Sequence, residues 1–103
     1  MFEVQMLIPL ADNDGEVFTA EHHAAFEEAI VDAFGGFTRL PSTAVGGWKN
    51  AAGVMFSDIT RVYAVAVVSL TDGDKLGGLV RFAKAFYLQE AIFIRYLGII
   101  EIL

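Results

Sequence analysis

The C-terminal run constrains this chain most. From residue 92 to 102 the even positions carry Ile, Ile, Tyr, Gly, Ile and Ile, whereas the odd positions include the charged Arg95 and Glu101. Successive side chains of a β-strand point to opposite faces, so this alternation predicts a long strand with one apolar and one mixed face. The rest of the chain must therefore supply a sheet for this strand to join and a layer that covers its apolar face.

Five further elements are predicted upstream of this run. The first two are a strand from Phe2 to Ile8 that Pro9 ends, and a helix capped by Thr19 that runs to about Phe34 and stops at Gly35-Gly36. A short strand with a Gly-rich bend follows within residues 37–48, and then a strand over residues 54–70 with a bulge or turn near Ser57-Asp58. The fifth is a helix from Asp74 or Lys75 to about Tyr87. Gly77-Gly78 weakens the start of the second helix, and a close contact between helix and sheet is expected to explain that pair.

The order β-α-β-β-α-β predicts an α+β fold of the ferredoxin-like type, in one domain spanning residues 1–103. In this sandwich a four-stranded antiparallel sheet carries two helices on one face. The first and third strands are central, and the last strand pairs beside the first.

Assigning faces by parity places the even residues of the first, third and last strands under the helices. In the third strand these are Val62, Ala64, Ala66, Val68 and Leu70. The odd residues then form an open sheet face that is both apolar and charged. A homo-oligomer is predicted to assemble through this face, at Tyr63, Phe93, Arg95 and Leu97.

Composition supports self-association and argues against several other partners. Hydrophobic residues make up 55% of the chain and the mean hydropathy is +0.53. A chain of this composition has more apolar surface than one small core can bury. The net charge of -6 argues against nucleic acid and anionic membranes. The absence of Cys excludes disulfides and thiolate sites. With no basic leader and no apolar run of spanning length, no membrane association is predicted, and the expected location is cytoplasmic.

No metal or cofactor is predicted. Asp12, Asn13 and Asp14 resemble part of a calcium loop, but the first ligand position would fall on Leu10, so an ordinary Asx turn is favoured. His23 and Glu27 have the i, i+4 spacing of two metal ligands, yet no third ligand is visible.

Polar residues beside apolar elements are the candidates for a small-molecule pocket. Asp58 and Arg61 lie at the start of the third strand, Gln89 and Glu90 lie between the second helix and the last strand, and Trp48 is the single tryptophan. An acid paired with an arginine has a shifted pKa in many active sites, although such groups more often form surface pairs. No catalytic residue is assigned.

Three short motifs resemble a family of small bacterial domains of unknown function. They are Phe34-Gly35-Gly36-Phe37-Thr38, Gly47-Trp48, and the segment Phe86-Tyr87-Leu88-Gln89-Glu90-Ala91-Ile92, in an FGG-x-T … G-x-W … QE layout. The resemblance supports the ferredoxin-like fold and implies no reaction. It adds Thr38 to the candidate pocket, which then comprises Thr38, Trp48, Asp58, Arg61, Gln89 and Glu90.

Three functions remain open from the sequence. The first is an oligomeric ligand-binding or regulatory module. The second is a cofactor-free enzyme of the dimeric α+β-barrel type, monooxygenase-like or isomerase-like, that encloses a small apolar substrate between helices and sheet. The third is a purely structural assembly protein, because one fold hosts unrelated functions.

Overall fold

The computed structural model describes residues 1–67 and 73–99 and contains the six predicted elements in the predicted order. They are β1 (Phe2–Pro9), α1 (Ala20–Phe34), β2 (Thr38–Lys49), β3 (Met55–Val67), α2 (Gly73–Phe86) and β4 (Phe93–Ile99). The strands form one antiparallel sheet in the order β2-β3-β1-β4. This confirms the α+β, ferredoxin-like sandwich, with β1 and β3 in the centre and β4 beside β1.

The pairing between β1 and β3 corrects the predicted face of β3. Met6 pairs with Tyr63 and Val4 with Val65, so even residues of β1 share a face with odd residues of β3. Tyr63 is 0% exposed and lies in the core with residues of both helices, not on the open face. The even residues Val62, Ala64 and Ala66 therefore lie on the sheet face away from the helices, because the register pairs even residues of β1 with odd residues of β3. Val68 and Leu70 lie outside the described residues.

The pairing between β1 and β4 agrees with the prediction over the first half of β4. Phe93 pairs with Leu7 and Arg95 with Gln5, and both are exposed on the open face as expected. The register then shifts between Glu3 and Val4, so Leu97 is an extra residue opposite the β1 ladder. The following Gly98 has a φ of 102°, a conformation that glycine adopts without strain. Glu101 lies outside the described residues.

Helix α1 begins and ends as predicted. The Thr19 side chain accepts a hydrogen bond from the His22 backbone N–H at 3.1 Å. At the other end Gly35 has a φ of 84° and donates to the Val31 carbonyl at 2.7 Å, a left-handed cap that ends the helix. Phe26 and Ile30 are buried one turn apart and point this helix at the sheet.

Helix α2 packs through Leu76, Leu79 and Ala83, all buried. The expected close approach of helix and sheet at Gly77-Gly78 is wrong. A side chain added at either glycine would meet only the guanidinium of Arg81, at 3.5 Å or more. Within residues 1–67 and 73–99, neither helix has the length and apolarity needed to cross a bilayer. The cytoplasmic location stays a prediction.

Strand β2 is longer than predicted, and β3 is more regular than predicted. β2 has 12 residues and β3 has 13, and the ladder is unbroken through Ser57 and Asp58, so the predicted bulge there is wrong. The irregularity lies instead between Arg39 and Thr43 of β2. The Asn50 side chain accepts from the backbone N–H groups of Ala52 and Val54, both at 3.0 Å, and closes the turn between the strands.

The distal part of this hairpin, residues 45–59, extends beyond the buried core, and we call it the arm. Every residue of β3 from Met55 to Ile59 is exposed, whereas the strand is mostly buried from Thr60 onward. The arm carries large exposed apolar side chains at Val45, Trp48, Val54, Met55, Phe56 and Ile59. The odd residues of β3 are on the helix-covered side of the sheet, so the pair Val45–Ile59 is on that side of the arm. The pair Trp48–Phe56, with an even residue of β3, is on the side of the open face. Both faces of the arm are therefore apolar.

Candidate functional site

A cluster of charged and polar side chains lies where the arm leaves the helix-covered sandwich. It consists of Glu27 on α1, Arg39 on β2, and Arg61 and Tyr63 on β3, and we call it the polar cluster. Arg39 pairs with Tyr63 across the strands, and both point to the side of the sheet that α1 covers. The cluster is thus assembled from one helix and two strands.

The polar cluster is organised on one carboxylate oxygen. Glu27 Oε2 accepts from the Tyr63 hydroxyl at 2.7 Å, from Arg39 Nη1 at 3.1 Å and from Arg61 Nη1 at 3.3 Å. Arg61 Nη1 also donates to the Tyr63 oxygen at 3.3 Å. The side chains of Glu27, Arg61 and Arg39 are 20%, 26% and 48% exposed. The cluster is therefore in contact with solvent.

A second polar pair lies behind the cluster, between the two helices. His23 Nδ1 and the Tyr87 hydroxyl are hydrogen-bonded at 2.8 Å, and both residues are buried. The adjacent His22 donates from Nε2 to the Phe86 carbonyl at 2.7 Å and stacks on the Phe86 ring, with centroids 3.8 Å apart. The two histidines thus connect the start of α1 to the end of α2 through hydrogen bonds.

Burial sets the protonation states of these groups. It lowers the pKa of His23 to about 4, with Arg61 and His22 adding unfavourable positive charge, so the ring is neutral at neutral pH. Burial also raises the pKa of Tyr63 to about 12 and raises that of Tyr87. Both phenols keep their protons at neutral pH, so Tyr63 serves Glu27 as a hydrogen-bond donor.

The candidate pocket residues predicted from the sequence lie in several places. Trp48 and Asp58 meet on the arm, where the indole Nε1 donates to Asp58 Oδ2 at 3.0 Å and the indole stacks on Phe56. Arg61 belongs to the polar cluster. Asp58 and Arg61, both candidates at the start of the third strand, thus have different partners.

The remaining three candidates lie elsewhere. Thr38 begins β2, about 30 Å from Trp48 at the usual rise of a strand. It lines a shallow groove of about 320 Å³ with Gly35, Gly36 and Ala64. Gln89 donates from its side chain to the Tyr87 carbonyl at 3.0 Å, which places it in the α2–β4 connection, and Glu90 is exposed there.

The two metal hypotheses give way to ordinary contacts. Asp12 Oδ1 accepts from the backbone N–H groups of Asp14 and Glu16, each at 2.9 Å, which is the Asx turn favoured from the sequence. Glu27 is bound by arginines and His23 by Tyr87. Among the residues that the structure describes, no three His, Asp or Glu side chains are grouped to hold a metal ion.

Sequence reasoning missed most of the polar cluster. The sequence predicts Arg61 as a pocket residue, presents Glu27 as a metal ligand at most, and places Tyr63 on the open face. One signal was available in β3, where the odd residues Tyr63, Val65 and Val67 are bulkier than their even neighbours Ala64 and Ala66. The bulkier set fills a core better, and this would have put Tyr63 beside α1.

A second cleft lies at the far end of the sandwich. It has a volume of about 340 Å³, and its described lining includes the apolar Val4, Val67 and Leu76 together with Glu3 and Tyr96. The centre of the sandwich, by contrast, is filled by Phe26, Tyr63 and Tyr87.

Comparison with known proteins shows the fold. No family model matches the chain, and no curated protein matches it. The resemblance to a family of unknown function therefore stays a prediction.

Two solved structures are similar to this chain. One is a phage SAM lyase in complex with S-methyl-5'-thioadenosine, with a TM-score of 0.71 and 15% identity over 94% of this chain and 80% of that one. The other is the divalent cation tolerance protein CutA1 from Thermus thermophilus, with a TM-score of 0.64 and 15% identity over 97% of this chain and 84% of that one. At such identity the likeness establishes the ferredoxin-like sandwich.

Proposed function

We propose that this protein is a homo-oligomeric module that binds a small ligand at the base of its arm. The observation that carries the proposal is the arm itself, which has large apolar side chains exposed on both faces. A two-stranded hairpin alone is marginally stable in water, and apolar patches of this kind mark interaction surfaces. A second copy of the chain is the partner that the composition favours.

The position of the polar cluster supports ligand binding beside that interface. Arg61 follows Ile59 on the same face of β3, so the apolar arm and the cluster are neighbours. A copy packed on the arm would restrict the access of water to Glu27 and its arginines, which strengthens polar contacts to a ligand. A protein of similar fold, the phage SAM lyase, binds S-methyl-5'-thioadenosine.

A cofactor-free enzyme that acts on a small apolar substrate is the second candidate, and the apolar cleft beside Val4 and Leu76 favours it. The filled centre of the sandwich argues against a substrate enclosed between helices and sheet, so this candidate depends on the end cleft alone. Glu3 and Tyr96 are the possible acid–base groups within its described lining. An apolar fluorescent probe that enters this cleft, and that Leu76→Arg excludes, would support this candidate; a probe insensitive to that substitution would contradict it.

Light scattering at micromolar concentration tests the self-association. We expect Val45→Asp with Ile59→Asp to weaken association at least about a hundredfold, because two charges would have to be buried in an apolar contact. The emission of Trp48 should shift to longer wavelength as the arm becomes solvated.

A matched variant tests the open sheet face, the interface predicted from the sequence. Arg95→Ala with Leu97→Asp alters exposed residues of β4 and leaves the arm intact. If only this variant dissociates the oligomer, the open face is the interface and the arm is not. A wild-type protein that is monomeric at micromolar concentration would rule out both.

A further inference from the structure

The polar cluster contains more hydrogen-bond donors than the Glu27 carboxylate accepts from. Two guanidinium groups and a phenol converge on Glu27 Oε2, and both arginines bond through Nη1 alone. Each guanidinium has five N–H donors. In the described part of the chain, the Nε and Nη2 atoms of Arg39 and Arg61 make no hydrogen bond, and both side chains reach solvent.

The charge of the cluster opposes that of the molecule. Two arginines against one glutamate leave a local excess of positive charge, in a chain whose net charge is -6. A small anion is attracted to such a spot, whereas a cation prefers the acidic remainder of the surface. The Tyr63 hydroxyl strengthens this preference because it is a further donor aimed at the same oxygen.

We infer that the polar cluster is an anion-binding site that receives a carboxylate or phosphate group of the ligand on the unused Nε and Nη2 edges of its two arginines, with Glu27 as the competing negative charge beside it. This inference rests on the proposed function, because it names the ligand class of that site. Arginine pairs bind such groups through two parallel N–H donors, and Nε with Nη2 forms such a fork on each arginine.

Inorganic phosphate and succinate are the probes that test the site, by calorimetric titration at constant ionic strength. We expect Glu27→Gln to bind the preferred probe at least about tenfold more tightly than the wild type, because the amide does not compete with the anion by charge. Arg39→Gln should bind at least about tenfold more weakly, because one fork is lost. Arg95→Gln is the matched control, since it removes an exposed arginine from the open face of β4.

The outcomes separate the alternatives. Preference for phosphate or for succinate identifies the group, and equal affinity in the wild type, Arg39→Gln and Arg95→Gln would overturn the site in favour of a purely structural ion pair. That comparison stands even if Glu27→Gln does not fold. Light scattering on the same samples keeps the two proposals apart. An oligomer without this anion response overturns only the anion site, and a monomer that keeps the response overturns only the self-association.

Discussion

The helix-covered half of the sheet and the arm are built from similar side chains but differ in what covers them. Met6, Phe26 and Tyr63 are 0% exposed between sheet and helices, whereas Val45 on the arm is 73% exposed. The strands run continuously from one region into the other, so the difference is not one of secondary structure. The sandwich buries its apolar side chains in its own core, and the arm carries an apolar surface that no part of the described chain covers.

Removing a core ring should have the largest effect. Phe26→Ala should lower the free energy of unfolding by about 3–5 kcal/mol, because it leaves a cavity among Tyr63, Tyr87 and Ile30. Urea denaturation measures this. Val45→Ala on the arm, measured in the dissociated state, should cost less than about 1 kcal/mol. Equal losses at the two sites would mean that the regions do not differ as described.

Acidification should weaken the sandwich through His23. The pKa of this histidine is about 4 in the folded protein and near 6.5 when unfolded, so the unfolded state binds more protons between these values. Stability from this group is therefore complete above pH 6.5 and is lost as the pH falls towards 4, by at most about 3 kcal/mol. Denaturation across this pH range measures the loss.

His23→Gln is the matched variant for this prediction, since it keeps a polar side chain that can reach Tyr87. Its stability should fall less steeply over the same pH range, by up to about 1.4 kcal/mol per pH unit relative to the wild type. Parallel pH profiles in the two proteins would assign the acid sensitivity to another group.

The polar cluster lies between the two regions and should give the smallest effects. Tyr63→Phe removes a buried donor from Glu27 and should cost about 1–2 kcal/mol. Arg39→Gln removes a largely exposed donor from the same oxygen and should cost less than about 1 kcal/mol. A larger loss from Arg39→Gln would mean that the cluster is closed to solvent and is a poor binding site.

The fold could be predicted because its signals are local. Thr19 caps α1 and Gly35 ends it through contacts within four residues, and the alternation of β1 is visible in eight residues. The order of such elements limits the topology to a few arrangements. The length of β2 was underestimated because Pro41 and the paired glycines weaken its pattern, while pairing with β3 stabilises it.

The polar cluster could not be predicted because it depends on register. Glu27, Arg39 and Tyr63 meet only after β1, β2 and β3 are aligned, and a shift of one residue exchanges the two faces. The predicted pocket joined Thr38, Trp48 and Gln89 through short motifs, yet these residues belong to opposite ends of β2 and to the α2–β4 connection. Motifs that belong to one family layout therefore do not necessarily meet in the folded chain.

Because of its bulge, β4 has one residue that could be deleted without disturbing the pairing with β1. Leu97 has no opposite residue in β1, whereas Tyr96 before it and Gly98 after it are both paired. Loss of Leu97 would restore an even ladder and leave the side chains of residues 93–96 on their present faces. Loss of Arg95 would instead exchange the faces between it and the bulge. Relatives of this chain that differ by one residue in this strand would therefore be expected to differ at position 97.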